Sequence, residues 1–146
     1  MQIKELSVDI ETYCDVDLRK TGVYRYAEDE SFEILLLAVS INNAPVIVYD
    51  LTKDKLPNLI LQALIDDTVI KWAFNATFER ICLSNWIKKH NPTLLNENFL
   101  SPNSWRCSMI WSAYLGLPLS LEGVGTVLKL REQKLKVGSE LIRYFL

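Results

Sequence analysis

Apolar and polar side chains alternate along the first residues of the chain, which is the period of a β-strand. The apolar set comprises Leu6, Val8 and Ile10, and the polar set comprises Ser7, Asp9 and Glu11. We therefore predict a strand over residues 2–11 with one side in the core and one polar side. Residues 12–31 are polar and lack a period, so an irregular segment is predicted there.

The next apolar segment, residues 32–41, is nearly continuous, which is typical of a strand that is buried on both faces. Asn42 and Asn43 then predict a tight turn, after which residues 46–49 return as a partner strand. The first three strands are therefore expected to form an antiparallel meander.

Segments with helical and strand periods follow one another along the remainder of the chain. The predicted elements are helix 57–66, strand 69–74, helix 77–89, strand 105–107, and helices near 108–115, 120–129 and 136–145. Three strands followed by such units favour the α/β class, with a mixed five-stranded sheet flanked by helices.

Composition fits one folded domain without a membrane segment. The chain has 146 residues, 49% of them hydrophobic and 23% charged, and a net charge of −2, so it has material for a core and no overall attraction to nucleic acid. No apolar run reaches the roughly 18 residues that span a bilayer, and the first residues do not resemble a secretory signal. Cys14, Cys82 and Cys107 form no CxxC pair, which favours reduced thiols in a cytoplasmic protein. We expect a single domain over residues 1–146.

Asp9 and Glu11 stand at positions i and i+2 of the first predicted strand, so both side chains leave the same face roughly 7 Å apart. Two carboxylates this close repel each other, and burial would protonate one of them unless a cation lies between them. Mg²⁺ or Mn²⁺ would meet that need. From the residues alone, an edge strand with two solvated acids remains the alternative. The position at the end of an early strand favours a site.

A second acidic position lies where a predicted strand leads into a predicted helix, over residues 74–79. Asn75 or Thr77 can cap this helix. Glu79 then falls in its first turn, where the helix dipole favours a carboxylate even without a metal. Phe78 is open to two interpretations, a core side chain or a stacking contact for a terminal base.

Residues 8–12 (VDIET) resemble the first motif of the DEDD-superfamily 3′–5′ exonucleases, a strand-borne Asp-x-Glu. Residues 75–79 (NATFE) resemble the second motif, Asn-x-x-(Phe/Tyr)-Asp, and residues 105–125 are similar to the proofreading region of phage-type family A DNA polymerases. The resemblance covers nearly the whole chain. It implies an RNase H-like fold and a 3′–5′ exodeoxyribonuclease that uses two Mg²⁺ or Mn²⁺ ions to hydrolyse phosphodiester bonds at 3′ ends of single-stranded DNA.

The resemblance also implies the roles of individual residues. Asp9, Glu11 and Glu79 would be the catalytic metal ligands, with Asp9 bridging both ions, although Glu79 stands where the family usually has Asp. Asn75 and Phe78 would hold the 3′-terminal nucleotide, and Thr12 would present its backbone to it.

The third motif of the family, a Tyr or His followed four or five residues later by Asp, should come after the second motif, and it is not found between Glu79 and Leu146. Tyr144, for example, has no acid after it. We therefore expect a C-terminally truncated exonuclease domain, with a polymerase domain downstream in the full-length protein and no membrane partner. Two alternatives remain open, a non-catalytic fragment of such a polymerase and a ribonuclease of the same superfamily.

Overall fold

A computed structural model of the protein describes residues 1–134, and the helix predicted over 136–145 lies outside them. The chain falls into two compact units, of which the first spans Met1–Ser108 and the second begins at Met109. Within residues 1–134 no helix is long and apolar enough to cross a membrane. A single exonuclease-like domain over residues 1–146 stays a prediction.

The first unit is built on one five-stranded sheet. Its strands are β1 (Glu5–Tyr13), β2 (Glu33–Ile41), β3 (Ile47–Asp50), β4 (Ile70–Ala73) and β5 (Trp105–Cys107). They lie in the order β3-β2-β1-β4-β5. The first three strands form the predicted antiparallel meander, whereas β4 pairs in parallel with β1 and β5 pairs in parallel with β4. The predicted mixed five-stranded sheet is thus confirmed.

Five α-helices are described. They are α1 (Leu18–Glu28), α2 (Asn58–Ile65), α3 (Ala76–His90), α4 (Ser108–Tyr114) and α5 (Leu121–Val127). The predicted helices over 57–66, 77–89, 108–115 and 120–129 are confirmed within one or two residues, and a 3₁₀ turn precedes β5. In the first unit, α3 packs against α1 and against β1, β2 and β4, so it lies over the middle of the sheet.

The prediction of an irregular segment over residues 12–31 is wrong, because α1 lies within it. Asp17 caps this helix, and its side chain accepts a hydrogen bond from the Arg19 backbone N–H at 2.9 Å. Gly22 interrupts the helical conformation with φ 77° and ψ 166°. The helix buries only Tyr26 and Ala27, so the segment shows no apolar stripe by which its period could be seen.

Strand β1 has the predicted two faces, since Leu6, Val8 and Ile10 are buried and Ser7, Asp9 and Glu11 are exposed. The prediction that β2 is buried on both faces is wrong. Leu37 and Val39 lie in the core, but Leu36 is 37% exposed. Leu36 pairs with Glu11, on the face that carries the acidic side chains, so only one face of β2 belongs to the core.

The predicted turn at Asn42 and Asn43 is confirmed by their positive φ angles of 50° and 61°. Asn42 also fixes the start of β1, because its Oδ1 accepts hydrogen bonds from the backbone N–H groups of Lys4 and Glu5 at 2.8 and 3.1 Å. The asparagine at the hairpin therefore helps to set the register of the strand that carries Asp9.

Candidate active site

The predicted acidic residues lie at one edge of the sheet because β1 and β4 run in parallel. Ser7 pairs with Trp72, so Asp9 and Glu11 follow on the same side of β1, beyond the level at which β4 ends. The chain leaves β4 and enters α3 within three residues. The acidic face of β1 and the start of α3 are therefore neighbours, at the edge of a parallel sheet where ligands commonly bind.

The turn between β4 and α3 is built around Asn75, which adopts a left-handed conformation with φ 76° and ψ 54°. Asparagine tolerates this conformation better than most residues. Asn75 occupies the N-cap position, as predicted, but its side chain makes no capping hydrogen bond. Instead the turn is held by its backbone carbonyl, which accepts from Phe78 N at 2.9 Å, and by Cys107 Sγ, which accepts from Ala76 N at 3.4 Å.

Glu79, in the first turn of α3, is the buried member of the predicted set and is only 4% exposed. Its Oε2 has no hydrogen-bond partner among residues 1–134, which is unusual for a buried polar atom. Burial, together with the neighbouring charges of Asp9 and Cys107, raises the pKa of Glu79 to about 8. In the absence of a cation, Glu79 is therefore mostly protonated at neutral pH.

Asp9 and Glu11 are exposed, in contrast to Glu79, and both make interactions in the structure. The influence of Asp9 on the pKa of Glu79 shows that these two carboxylates are within electrostatic reach of each other. Within residues 1–134, no group of three or more His, Cys, Asp or Glu side chains is arranged to hold a metal ion. The structure therefore brings Asp9 and Glu79 together, while a three-ligand metal cluster stays a prediction.

Two of the predicted nucleotide-binding residues, Thr12 and Phe78, are joined through Tyr26 of α1. Thr12 Oγ1 and Tyr26 Oη lie 2.9 Å apart in a hydrogen bond. The rings of Tyr26 and Phe78 have centroids 6.2 Å apart and are tilted by 38°. The remaining predicted contact, Asn75, is exposed at the start of the same helix as Phe78.

Sequence reasoning missed Tyr26, since the helix that presents it was not predicted. Burial raises the pKa of its hydroxyl, while the hydrogen bond with Thr12 opposes that shift. The available signal was the pair of closely spaced tyrosines, Tyr24 and Tyr26, within the segment 12–31.

The comparisons with known proteins agree with this geometry. No family model matches the chain. Over 144 residues, 98% of its length, the chain is 48% identical to a DNA polymerase of Bacillus phage SP02, and it spans 21% of that protein.

Solved structures of NrnC from Brucella melitensis have a similar fold. NrnC with bound Mg²⁺ aligns with a TM-score of 0.59 at 16% identity, covering 92% of this chain and 57% of NrnC. NrnC bound to pGG aligns with a TM-score of 0.58 at 17% identity, covering 92% of this chain and 56% of NrnC. At this level of identity the likeness concerns the fold, and it confirms the predicted RNase H-like architecture. The chain is therefore a homologue of part of a phage DNA polymerase, and its fold is the RNase H-like architecture that it shares with NrnC.

Proposed function

We propose that this chain is a 3′–5′ exonuclease (proofreading) module of a DNA polymerase, acting on the 3′ ends of single-stranded DNA. The observation that carries the proposal is Glu79, a buried carboxylate whose Oε2 has no partner among residues 1–134. The carboxylate of Asp9 has the same sign of charge and opposes the ionisation of Glu79. Such an arrangement costs free energy in the metal-free protein, and a bound cation would remove that cost.

The proposed metal ligands are Asp9, Glu11 and Glu79, holding two Mg²⁺ or Mn²⁺ ions. The donor set fits these ions, because hard divalent cations prefer carboxylate oxygens. When bound, such ions lower the pKa of a water and stabilise the leaving oxygen of a phosphodiester. The side chain of Glu79 is one methylene longer than that of the usual aspartate. Its backbone is held in the first turn of α3, so the side chain extends from a fixed position.

The proposed binding of the terminal nucleotide uses the residues around Tyr26. Phe78 is half-buried and packed beside the Tyr26 ring, so it offers a positioned aromatic face on which a base can stack. Thr12 is held by its hydrogen bond with Tyr26 and presents the backbone of β1 beside Asp9 and Glu11. Asn75 is exposed with its amide outside the capping role, so that the amide can bond to the nucleotide.

The polymerase relative supports DNA rather than RNA as the substrate, and it disfavours the alternative of a ribonuclease of the same superfamily. The chain spans about a fifth of that relative, so a polymerase region downstream and a cytoplasmic location belong to this proposal. NrnC, a structure with the same fold, has been solved both with Mg²⁺ and with pGG. These findings support a metal-dependent nuclease in preference to a non-catalytic fragment.

The direct test uses 5′-labelled single-stranded DNA and follows shortening from the 3′ end on a sequencing gel. We expect a ladder of products with Mg²⁺ or Mn²⁺ and none after addition of a chelator. The control variant is Asp54→Asn, which changes an exposed acid in the segment after β3. The control substrate is an RNA strand of the same sequence.

We expect a protein extended by 40–60 residues to be much more active than the 146-residue chain, because the third motif would then be present. Cleavage that is insensitive to the chelator, or that starts within the strand, would contradict the proposal. So would equal rates on DNA and RNA, which would favour the ribonuclease alternative.

A further inference from the structure

One face of α3 holds the loop that precedes β5. Arg80, Ser84 and Lys88 lie at positions i, i+4 and i+8, so they share one side of the helix. Arg80 Nη1 donates to the carbonyl of Leu100 at 2.9 Å, and Ser84 Oγ accepts from the backbone N–H of Leu100 at 2.9 Å. The loop is thus fixed against the helix by both polar groups of one residue.

The aromatic ring of Phe99 is placed by this loop between a cation and a second ring. Lys88 Nζ lies 4.9 Å from the centroid of Phe99, within cation–π distance. Tyr24 of α1 meets the same ring edge-on, with centroids 5.5 Å apart and an interplanar angle of 88°. Tyr24 is 48% exposed and Phe99 is half-buried. We call Tyr24, Phe99 and Lys88 the outer platform.

The outer platform and the residues around the proposed terminal-nucleotide site both include side chains of α1 and α3. Tyr24 stands two residues before Tyr26, whose ring contacts Phe78. Because α1 packs against α3, both tyrosines lie along the same pair of helices. The two helices therefore carry both the aromatic residue proposed for the terminal base and two residues of the outer platform, Tyr24 and Lys88.

An open cleft of about 560 Å³ borders the platform, with Phe99 and Arg80 in its wall. The other polar residues of the wall are Asn96, Glu97, Asn98 and Ser101. A volume of this size is in the range of small-ligand sites. Neither Arg80 nor Lys88 forms an ion pair with another residue of the described part of the chain, so both cations can meet the charge of a ligand.

We infer that the outer platform and this cleft bind the nucleotides of a single strand that lie 5′ to its terminal nucleotide. Bases would stack on Tyr24 and Phe99, and phosphates would meet Lys88 and Arg80. Aromatic faces interleaved with cations are the features that bind single strands without sequence preference. The two cations stand eight positions apart on α3, a rise of about 12 Å along the helix axis, which is the length of three to four stacked nucleotides. The inference rests on the proposed function for the position of the terminal base.

The test measures affinity by fluorescence anisotropy for labelled DNA strands of 2, 4, 8 and 12 nucleotides, in a chelator and at several salt concentrations. The variants of the full chain are Tyr24→Ala and Lys88→Gln, with Lys55→Gln as the control for an exposed lysine elsewhere. We expect Tyr24→Ala to weaken binding of the 8- and 12-mers about tenfold. Lys88→Gln should lower the slope of log affinity against log salt by about 0.7. Binding of the dinucleotide should not change in either variant.

Phe99→Leu keeps an apolar side chain under the loop and removes the aromatic face, so it separates stacking from loop packing. It should weaken the long strands as Tyr24→Ala does, while thermal unfolding confirms that each variant is folded. The inference is overturned if the platform variants bind every length with the affinity and salt slope of Lys55→Gln. The affinities are measured without metal, so they do not depend on cleavage. A protein that does not cleave DNA would count against the proposed function, but its affinities would still test this inference.

Discussion

One buried ionisable side chain lies within β4 and another follows it in α3, and their surroundings differ. Lys71, within the strand, is 1% exposed, and its Nζ donates to the backbone carbonyl of Asp66 at 2.7 Å. Glu79, after the strand, is 4% exposed, and its Oε2 has no partner among residues 1–134. The lysine is surrounded by groups that satisfy its charge, whereas the glutamate faces the like charge of Asp9.

The pKa values show the same difference. Burial lowers the pKa of Lys71 to about 8, while the carboxylates of Asp67 and Asp66 limit that fall. Burial raises the pKa of Glu79 to about 8, and Asp9 adds to that rise. At neutral pH the lysine is therefore mostly charged and the glutamate mostly neutral. The comparison supports a structural role for Lys71 and the proposed ligand role for Glu79, whose Oε2 has no partner among residues 1–134.

The largest expected effect is that of Asp9→Ala on catalysis. We expect the complete protein to lose nuclease activity by more than about 100-fold. Loss of a residue that only supports a metal ligand costs up to about 100-fold, and loss of a ligand itself should cost more. Its free energy of unfolding should stay the same or rise, because a charge that opposes ionisation of Glu79 is gone. The rate of 3′-end cleavage measures the loss of activity, and urea unfolding measures the change in the free energy of unfolding. Cleavage at the original rate would refute the assignment of Asp9.

Glu79→Gln is expected to change how stability depends on pH. The folded-state pKa of Glu79 is raised, so its contribution to stability is greatest below about 4.5 and is lost as the pH rises towards 8. Between pH 5 and pH 8 the metal-free protein should therefore lose about 3 kcal/mol more than the variant. Urea unfolding in a chelator measures this, with Glu28→Gln as a control at an exposed acid.

Added Mg²⁺ should reduce that pH-dependent loss in the unmodified protein and have less effect on the Glu79→Gln variant, since a cation favours the ionised carboxylate. Parallel pH profiles for both proteins in the chelator would show that Glu79 ionises as easily in the folded chain as in the unfolded one. That result would remove the basis of the comparison with Lys71.

Lys71 should behave as a packing residue with a satisfied charge. Lys71→Ala is expected to destabilise the fold by about 3 kcal/mol, because it leaves a cavity and removes one of the two hydrogen bonds that the Asp66 carbonyl accepts. Lys71→Met keeps the buried stem and should cost only about 1 kcal/mol. Chemical denaturation of the two variants and of the unmodified protein measures these losses in the free energy of unfolding. Equal losses would mean that the charge, and not the stem, is what the fold requires.

The smallest effect is expected at Trp105, whose buried Nε1 has no hydrogen-bond partner among residues 1–134. Within the described part of the chain, the Trp105 Nε1–H group is buried without a partner as Glu79 Oε2 is, but it cannot ionise at ordinary pH. Trp105→Phe removes the unsatisfied donor but leaves a small cavity, so we expect the free energy of unfolding to change by less than about 1 kcal/mol, with no dependence on pH. Thermal melts at pH 5 and pH 8 would detect a larger or pH-dependent change.

The strands of the fold could be predicted from the sequence because their period is short and regular. The alternation of β1 places Asp9 on the polar side without any tertiary information, and the asparagine turn identifies the meander. Helix α1 could not be predicted, since Gly22 breaks its period and only Tyr26 and Ala27 are buried. The role of Tyr26 beside Phe78 was hidden for the same reason.

The buried charges were beyond sequence reasoning. A lysine in a short strand predicts a solvent-facing side chain, and Lys71 is buried because the end of α2 supplies a carbonyl for it. Glu79 has the position of an ordinary first-turn acid, and its burial depends on how α3 lies over the sheet. Both facts arise from packing between elements that are distant in sequence.

The two-sided pattern of β1 has a consequence for how this chain can fail. A slip of one residue in its pairing would turn Leu6, Val8 and Ile10 outward and Asp9 and Glu11 into the interior. Burial of the hydrophobic side chains thus fixes the register of β1, and with it the positions of Asp9 and Glu11. A misaligned strand would therefore produce an unfolded chain, which cellular quality control can recognise and remove, and not a stable fold with misplaced carboxylates.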